Sequence, residues 1–538
     1  MSPLNRRDFL TAAAVAGGSA LATKDPAVAA RRGRRAAIPR AGAVRFSQGV
    51  ASGQPTQRGI TLWTRAAGLE RTSRFAVEIS PDRDFRKVIL RRQVLAEEKR
   101  HFTVHERVSA PRLRPGEQYF YRFFTRDSDS VVDRFRMPLP PDSREPVRIG
   151  FFSCQDYESG FYTAHDGLAA EVDLDLVVCL GDYIYERSFD ENGVRQDRTG
   201  RNSDAEVERL SEYREKYALY HSDASLRRLR QNHAMMAIWD DHEVEDNYAR
   251  DEPGEATESR ELRFAARRRN GYRAFFEHMP RLRNRDRRNR IYGSRLLGGN
   301  AELILLDERQ YRDDQPCGDQ IGSANCPEAF APGRTMLGSD QRRWLKGALD
   351  GSRATWKIVG NQVMMMALDS PAGNPLNPDQ WDGYKAERRE LMEFIRKRRI
   401  EDVAFLTGDI HTFFAGEVTL SGRQPALRPA VATEFVGGSM TSKGIADSLG
   451  RSDRERQVLA DLTDAGVRAN NPHIEYSNQQ RKGYGVLEAR RGELQVEFRA
   501  PRSTEKPDSS VFTLQRFRVE RGNPRVQVLG PPGGSFPN

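Results

Sequence analysis

Five short apolar runs in this chain each stop at residues able to hold a metal ion. Arg148-Ile149-Gly150-Phe151-Phe152 leads into Ser153-Cys154-Gln155, and Leu176-Val177-Val178-Cys179-Leu180 into Gly181-Asp182-Tyr183-Ile184-Tyr185-Glu186. Met235-Met236-Ala237-Ile238-Trp239 leads into Asp240-Asp241-His242-Glu243, with Asp246-Asn247 close behind. Lys357-Ile358-Val359 leads into Gly360-Asn361-Gln362, and Val403-Ala404-Phe405-Leu406 into Thr407-Gly408-Asp409-Ile410-His411. Carboxylate and amide oxygens are hard ligands for calcium, magnesium or manganese, whereas imidazole, thiolate and phenolate suit transition metals such as iron. One such tip is weak, because turns after strands favour Asp and Asn anyway. Five in one region are hard to obtain from turn preference alone. The mixed set predicts a multinuclear centre, able to polarise a phosphoryl oxygen, generate hydroxide near neutral pH and stabilise a leaving oxygen.

Such tips need a sheet that presents its strand ends along one edge. From residue 147 apolar strands alternate with longer helical patterns, as in βαβ units. The strands expected are 147–153, 174–180, 234–239, 302–306, 356–360 and 403–406, and the helices 205–230, 258–278, 339–349 and 387–399. Residues 485–489 and 494–498 read as a hairpin. In α/β sheets the ligand crevice lies beyond the carboxyl ends of the strands, so the fold class predicted is α/β. Residues 46–137 read differently, with short strands over 60–65, 74–79 and 102–108. A Pro115-Gly116 turn then feeds the alternating aromatic strand Tyr119-Phe120-Tyr121-Arg122-Phe123. This pattern predicts an immunoglobulin/fibronectin-like β-sandwich. No ligand residues gather there, so it reads as a packing or shielding module. The boundaries expected are a signal over 1–30, the β-sandwich domain over 41–138, a catalytic domain over 146–505 and a C-terminal segment over 506–538.

Gly181-Asp182-x-x-Tyr185 with the later Asp409-x-His411 resembles the calcineurin-like metallophosphoesterases, especially the purple acid phosphatases. The chain is similar more closely to the alkaline phosphatase D family. That resemblance is carried by Phe46-Ser47-Gln48-Gly49-Val50-Ala51-Ser52-Gly53, Leu62-Trp63-Thr64-Arg65, Ser153-Cys154-Gln155, Leu180 to Glu186, Trp239-Asp240-Asp241-His242-Glu243 and Thr407 to His411. It implies an α+β four-layer sandwich and a centre of iron(III) plus calcium. Cys154 and Tyr185 would bind the iron, and Asp182 would bridge iron and calcium. Asp240 or Asp241 would bind calcium, Asp409 and His411 would complete the cluster, and Asn361 is a further candidate. Trp-Asp-Asp-His-Glu stands where related phosphoesterases have Gly-Asn-His-Glu, so a carboxylate replaces the usual Asn. The activity implied is hydrolysis of phosphate esters by a metal-held hydroxide attacking phosphorus in line. Asp182 and His242 are the catalytic candidates, His242 assisting the leaving group or orienting phosphate. Two rivals remain: a phosphodiesterase or phospholipase D-like enzyme of the same fold, and an exported phosphate-binding protein without turnover. Each tip also has a structural alternative. Asp182 and Asp409 could be turn caps, Cys154 a packed thiol, Tyr185 a core aromatic and His242 a hydrogen-bonding residue.

Charge and composition narrow the partners. The formal net charge is +10, but residues 1–40 hold eight basic against two acidic residues, leaving +4 for the remaining 498. That balance helps attract anionic substrates and does not argue for nucleic acid. Arg6-Arg7 precedes an Ala/Gly-rich run over 11–22 and the small residues Ala27-Val28-Ala29. This predicts a twin-arginine signal, the twin-arginine export machinery as partner, and a periplasmic or extracellular destination. No apolar run reaches the roughly 18 residues of a membrane span. In an oxidising compartment Cys317 and Cys326 could close a small disulfide, while Cys179 reads as a packed strand residue. The Arg-rich stretch 281–290 reads as solvated surface. Residues 437–442 read as a phosphate cradle or a plain loop, and His473 as a residue that could approach the site. There is no P-loop, no His-x-Lys-x-x-x-x-Asp and no Gly-x-Ser-x-Gly elbow, which excludes the chemistries those motifs carry.

Overall fold

The computed structural model describes residues 44–530 apart from 189, 191, 202–205, 256–261, 284–288, 321, 323, 421–428 and 449–452. The expected signal over 1–30 lies outside the described residues. Two mixed sheets dominate. One runs, in spatial order, Gln527–Val528, Val511–Glu520, Glu493–Pro501, Tyr484–Ala489, Val147–Phe152, Leu176–Cys179, Met235–Ala237, Val50–Thr56, Gly59–Arg65 and Thr103–Ser109. The other runs Gly293–Gly298, Ala301–Leu305, Trp356–Gly360, Val403–Thr407, Ala430–Gly437, Phe413–Thr419 and Ile474–Asn478. Each contains a parallel block. Val147–Phe152, Leu176–Cys179 and Met235–Ala237 form the first. Ala301–Leu305, Trp356–Gly360, Val403–Thr407 and Ala430–Gly437 form the second. Parallel pairing brings the carboxyl ends within a block to a common edge, which is why the expected tips can converge. The expected strands of this region match within two residues at either end.

Alternation along the strands explains the layering, because successive side chains point to opposite faces. Leu303, Leu305, Ile358, Ala404 and Leu406 join the core that also holds Ile149, Phe151 and Val178 of the first sheet. Their neighbours Ile304, Val359 and Phe405 belong to a second cluster, with Leu345 and Leu349 of helix Gly338–Gly351 and Leu391, Met392 and Ile395 of helix Lys385–Arg398. The two sheets therefore share one apolar layer, and helices cover the far face of the seven-stranded sheet. The expected helix over 205–230 is two helices, Leu210–Tyr220 and Ala224–Asn232. The break is chemical: the Asp223 side chain accepts the N–H groups of Ser225 and Leu226 and caps the second helix afresh.

The N-terminal strands do not stand apart. Val50–Thr56 pairs in parallel with Met235–Ala237 through Gly53 and Met235, so three N-terminal strands continue the large sheet. A separate four-stranded sheet of Leu90–Ala96, Ser73–Ser80, Gln118–Phe124 and Asp133–Arg136 packs its Phe75, Val77, Tyr121 and Phe123 into the same core as Ile60, Leu62 and Val108. Tyr119 turns its hydroxyl back to donate to the Arg112 carbonyl at 3.0 Å and accept from the Arg114 N–H at 2.9 Å. Within the expected C-terminal segment, Val511–Glu520 is a strand of the large sheet. The disulfide Cys317–Cys326 is present, and Cys179 is buried within its strand. The solvated reading of 281–290 fails at Arg281. That side chain is buried, donating to the carbonyls of Ala237 and Ile291, so its guanidinium satisfies backbone acceptors at the end of an interior strand. No helix among the described residues is long and apolar enough to cross a membrane.

Candidate metal centre

The tips meet because their backbones leave the strands sharply. Cys154, Asp182, Asp409 and His411 all adopt the left-handed region, with φ of 56°, 51°, 63° and 55°. Non-glycine residues pay for this conformation, and it persists where the surroundings over-determine it. Two glycines permit the close approach. A Cβ on Gly181 would lie 2.5 Å from the Asp240 Cβ, and one on Gly408 would lie 2.5 Å from the Ser153 Oγ. The Gly-Asp pairs are thus packing requirements as well as sequence signatures. Glu243 ties two tips together, accepting from the N–H groups of Asp182 at 3.2 Å, Tyr183 at 2.8 Å and Asp240 at 2.7 Å. Residues 437–442 act as a clamp and not as a phosphate cradle. The N–H groups of Met440, Thr441 and Ser442 all donate to the Cys154 carbonyl, at 3.1–3.3 Å.

Three groups of side chains lie close enough to share a cation: Cys154, Asp182 and His411; Asp182, Asp241 and His242; Asp240, Asp241 and Asp409. Within each group one ligand atom per residue lies within 4.8 Å of the others. Asp182 belongs to two of them, and its buried Oδ1 has no hydrogen-bond partner. The Tyr185 hydroxyl lies 3.2 Å from Asp182 Oδ2, 3.1 Å from His411 Nε2 and 2.8 Å from Ser442 Oγ. His411 Nδ1 lies 2.7 Å from the Lys443 carbonyl. That contact fixes Nδ1 as the donor and leaves Nε2 its lone pair, the arrangement of ligating imidazoles. Burial pushes the Cys154 thiol, the Asp182 carboxyl and the Tyr185 phenol well above their ordinary values, and neighbouring acidic groups push each further. Burial lowers His411 to about 4, with the Lys482 charge adding to it. Crowded, buried anionic donors with an orphaned carboxylate oxygen fit a cation, and thiol, phenol and imidazole together fit a transition metal.

The carboxylate side differs. Arg309, 0% exposed, donates through Nε to Asp240 Oδ1. Its Nη1 and Nη2 take both oxygens of Asp379 at 2.8 and 3.0 Å, and Nη2 also reaches Asp409 Oδ1 at 3.1 Å. Asp241 Oδ1 is 3.5 Å away. Gln380 donates to the other Asp409 oxygen at 2.5 Å, and Arg312 to Asp379 at 2.7 Å. Burial would raise Asp241, but Arg309 and His242 outweigh it and hold this carboxyl below its ordinary value. Asp409 is raised to about 7 by burial and by Asp379.

His242 stacks on Tyr185 with ring centres 4.0 Å apart, and its Nδ1 lies 2.7 Å from Glu186 Oε2. Burial disfavours its charged form, yet Glu186 and Asp241 overcome that and raise it to about 9. Asn361 sits at its strand tip with its amide engaged elsewhere, donating to the Val363 carbonyl at 2.6 Å and accepting from Thr407 at 3.2 Å. His473 lies against the Ala367 carbonyl at 2.8 Å instead of in the cluster. Sequence reasoning passed over Arg309, Asp379 and Gln380. Arg309 follows the strand Ala301–Leu305 in Asp307-Glu308-Arg309, so the strand-tip rule would have found it had arginine been counted as site chemistry. Asp379 and Gln380 lie in a loop with no periodic signal.

Family models match this chain over two stretches, the PhoD-like phosphatase N-terminal domain over residues 31–138 and the PhoD-like phosphatase over 149–498. Alkaline phosphatase D of Bacillus subtilis is 33% identical over 506 residues, covering 90% of this chain and 82% of that protein. A solved structure of PhoD superposes with a TM-score of 0.81 at 30% identity, over 92% of this chain and 94% of that one. The purple acid phosphatase PPD1 of yellow lupin shares the fold, with a TM-score of 0.53 at 13% identity over 88% of this chain and 73% of that one. The likeness takes in every strand tip described above, and this chain belongs to the PhoD-like phosphatase family.

Proposed function

We propose that this chain is an exported alkaline phosphatase hydrolysing phosphate esters at a mixed iron(III)–calcium centre. The observation that carries the reading is Asp182, shared between two potential ligand groups with a buried carboxylate oxygen left unpartnered. Cys154 and Tyr185 would hold the iron, Asp182 would bridge, and Asp240, Asp241 and Asp409 offer the hard oxygens that calcium takes. His411 would complete the set. When bound, such cations supply Lewis acidity toward phosphoryl oxygens and lower the pKa of a nucleophilic water. The chain's own side chains do the rest. Glu186 fixes the His242 ring through Nδ1, so Nε2 is the atom placed to hand a proton to the leaving oxygen. Glu243 keeps two tips in register and so keeps the reacting groups oriented.

The finer architecture follows the same reading. Residues 41–138 are an immunoglobulin/fibronectin-like sandwich, supported by the Tyr119 corner. They precede a calcineurin-like four-layer domain over 146–505, supported by two sheets sharing one core. Export by the twin-arginine route is supported by Arg6-Arg7 and by the Cys317–Cys326 disulfide, which suits an oxidising compartment. The test is metal content of the purified protein by mass spectrometry, beside turnover of p-nitrophenyl phosphate, its bis ester and phosphatidylcholine. Iron and calcium together with monoester turnover are expected. Preference for the bis ester or the lipid would make it a diesterase, and chelated enzyme regaining full rate with magnesium alone would overturn the calcium assignment.

A further inference from the structure

The trio Asp240, Asp241 and Asp409 is buried or half-buried, with one oxygen of each within 4.8 Å of the others. Three ionised carboxylates so placed repel one another, and without a cation burial would drive them to protonate or separate. They also come from different sheets. Asp240 and Asp241 follow Met235–Ala237 of the ten-stranded sheet, and Asp409 follows Val403–Thr407 of the seven-stranded one. Arg309 is the side chain that reaches all three. Its Nε bonds Asp240, and its Nη2 lies 3.1 Å from Asp409 and 3.5 Å from Asp241.

The guanidinium is anchored from behind. Asp379 takes Nη1 and Nη2 in a two-point fork, and is itself steadied by Arg312 at 2.7 Å and Gln315 at 2.9 Å. A forked pair of this kind fixes orientation as well as charge. Arg312 offsets the charge of Asp379, so the charge of Arg309 remains for the trio. We propose that Arg309 is a positioning residue, a fixed internal cation that assembles Asp240, Asp241 and Asp409 across the two sheets before any metal binds. Metal uptake then meets carboxylates already gathered and oriented, in place of three groups that must first be brought together across the two sheets. The inference rests on the metal-centre reading above. It concerns the state of the protein before that centre is filled, and nothing in the family likeness assigns it.

The experiment compares thermal unfolding of the full chain, chelated and calcium-loaded, for wild type, Arg309→Met and Arg309→Lys. Chelated Arg309→Met is expected to melt roughly 5–10 °C below chelated wild type, since removing one partner strands several buried charges. Saturating calcium should close at least half of that gap, because the ion supplies the missing charge. Chelated Arg309→Lys, which keeps the charge and loses the fork, should fall between. If Arg309→Met does not fold, Arg309→Lys carries the test, with a calcium isotherm by calorimetry expected to weaken by about tenfold as the trio loses its orientation. A deficit of equal size with and without calcium would mean that Arg309 merely packs, and would overturn the inference. So would a chelated variant as stable as wild type. Failure of calcium to stabilise even wild type would instead overturn the metal reading on which it stands.

Discussion

Two halves of one centre manage buried charge differently. Around Cys154, Tyr185 and Asp182 no cationic side chain makes a hydrogen bond among the described residues, and burial pushes thiol, phenol and carboxyl toward their neutral forms. A few ångströms away, Asp240, Asp241 and Asp409 surround a guanidinium, and Asp241 is held below its ordinary value. The first half must lose protons to take a metal. In the second Asp241 is ionised beforehand, while burial pushes Asp240 well above its ordinary value despite Arg309 and raises Asp409 to about 7. Metal uptake should therefore release protons from the thiol and phenol, and from Asp240 as well. The contrast also separates what each half can select. Thiolate, phenolate and imidazole together suit a transition metal, while the carboxylate oxygens gathered around Arg309 suit a hard divalent ion.

The sharpest way to break this division is at Asp182, which groups with Cys154 and His411 on one side and with Asp241 and His242 on the other. Asp182→Ala should lower kcat/KM on the order of 10³-fold, equivalent to about 4 kcal/mol of lost transition-state stabilisation. It should also deplete both metals in the purified protein. Full metal content with normal turnover would dissolve the idea of a shared carboxylate. Next come Tyr185→Phe and Cys154→Ser, expected to cost roughly 10–100-fold in activity. Both should shift or bleach a visible absorption band, since thiolate and phenolate on iron(III) give charge transfer and calcium gives none. A band unchanged in both variants would place iron on other residues.

A smaller effect probes His242. Glu186→Gln removes the charge that holds the ring, so kcat should drop by roughly tenfold with KM little changed. A rise in KM alone would point to substrate binding instead. The smallest effect lies outside the centre and serves as its control. His165 and His233 are buried and neutral, lowered by burial to about 3 and about 4. Unfolded, they titrate near 6.5, so between that pH and their folded values the unfolded chain binds more protons. Stability from these groups is complete above about 6.5 and is lost as pH falls toward 4. These two rings should contribute a drop of roughly 5 °C in the melting of the chelated protein from pH 7 to pH 5. Buried carboxyls such as Asp409 and Glu243, raised to about 7 and about 8, act in the opposite sense. The double variant His165→Gln, His233→Gln should lose this part of the acid dependence, and an unchanged pH profile in that variant would contradict the burial of these rings as neutral groups.

Much of the centre could be read before any coordinates, because parallel strands end where chemistry is exposed and their apolar runs are plain. Cys154, Asp182, Tyr185, Asp240, Asp241, His242, Asp409 and His411 come together in the structure. Asn361 stands at a strand tip as well, yet its amide serves Val363 and Thr407; strand position alone does not show where a side chain turns. Arg309 escaped because arginine is no metal ligand, and Asp379 and Gln380 because their loop has neither period nor motif. The break at Asp223 was visible as a capping residue inside a helical run. The bond between Gly53 and Met235 joins segments far apart in the chain, and nothing local announces such a pairing.

That pairing bears on where the chain can be cut. The two family models divide it between residues 138 and 149, which invites expression of the second part alone. Yet Val50–Thr56 lies beside Met235–Ala237, the strand that ends in Asp240 and Asp241. A fragment beginning at 146 would turn that interior strand into a bare margin, with unpaired N–H and C=O groups next to the tip that carries Asp240 and Asp241. Margins of this kind recruit other chains. The fragment should self-associate through the strand that sets the aspartates, and so lose its centre at the cut.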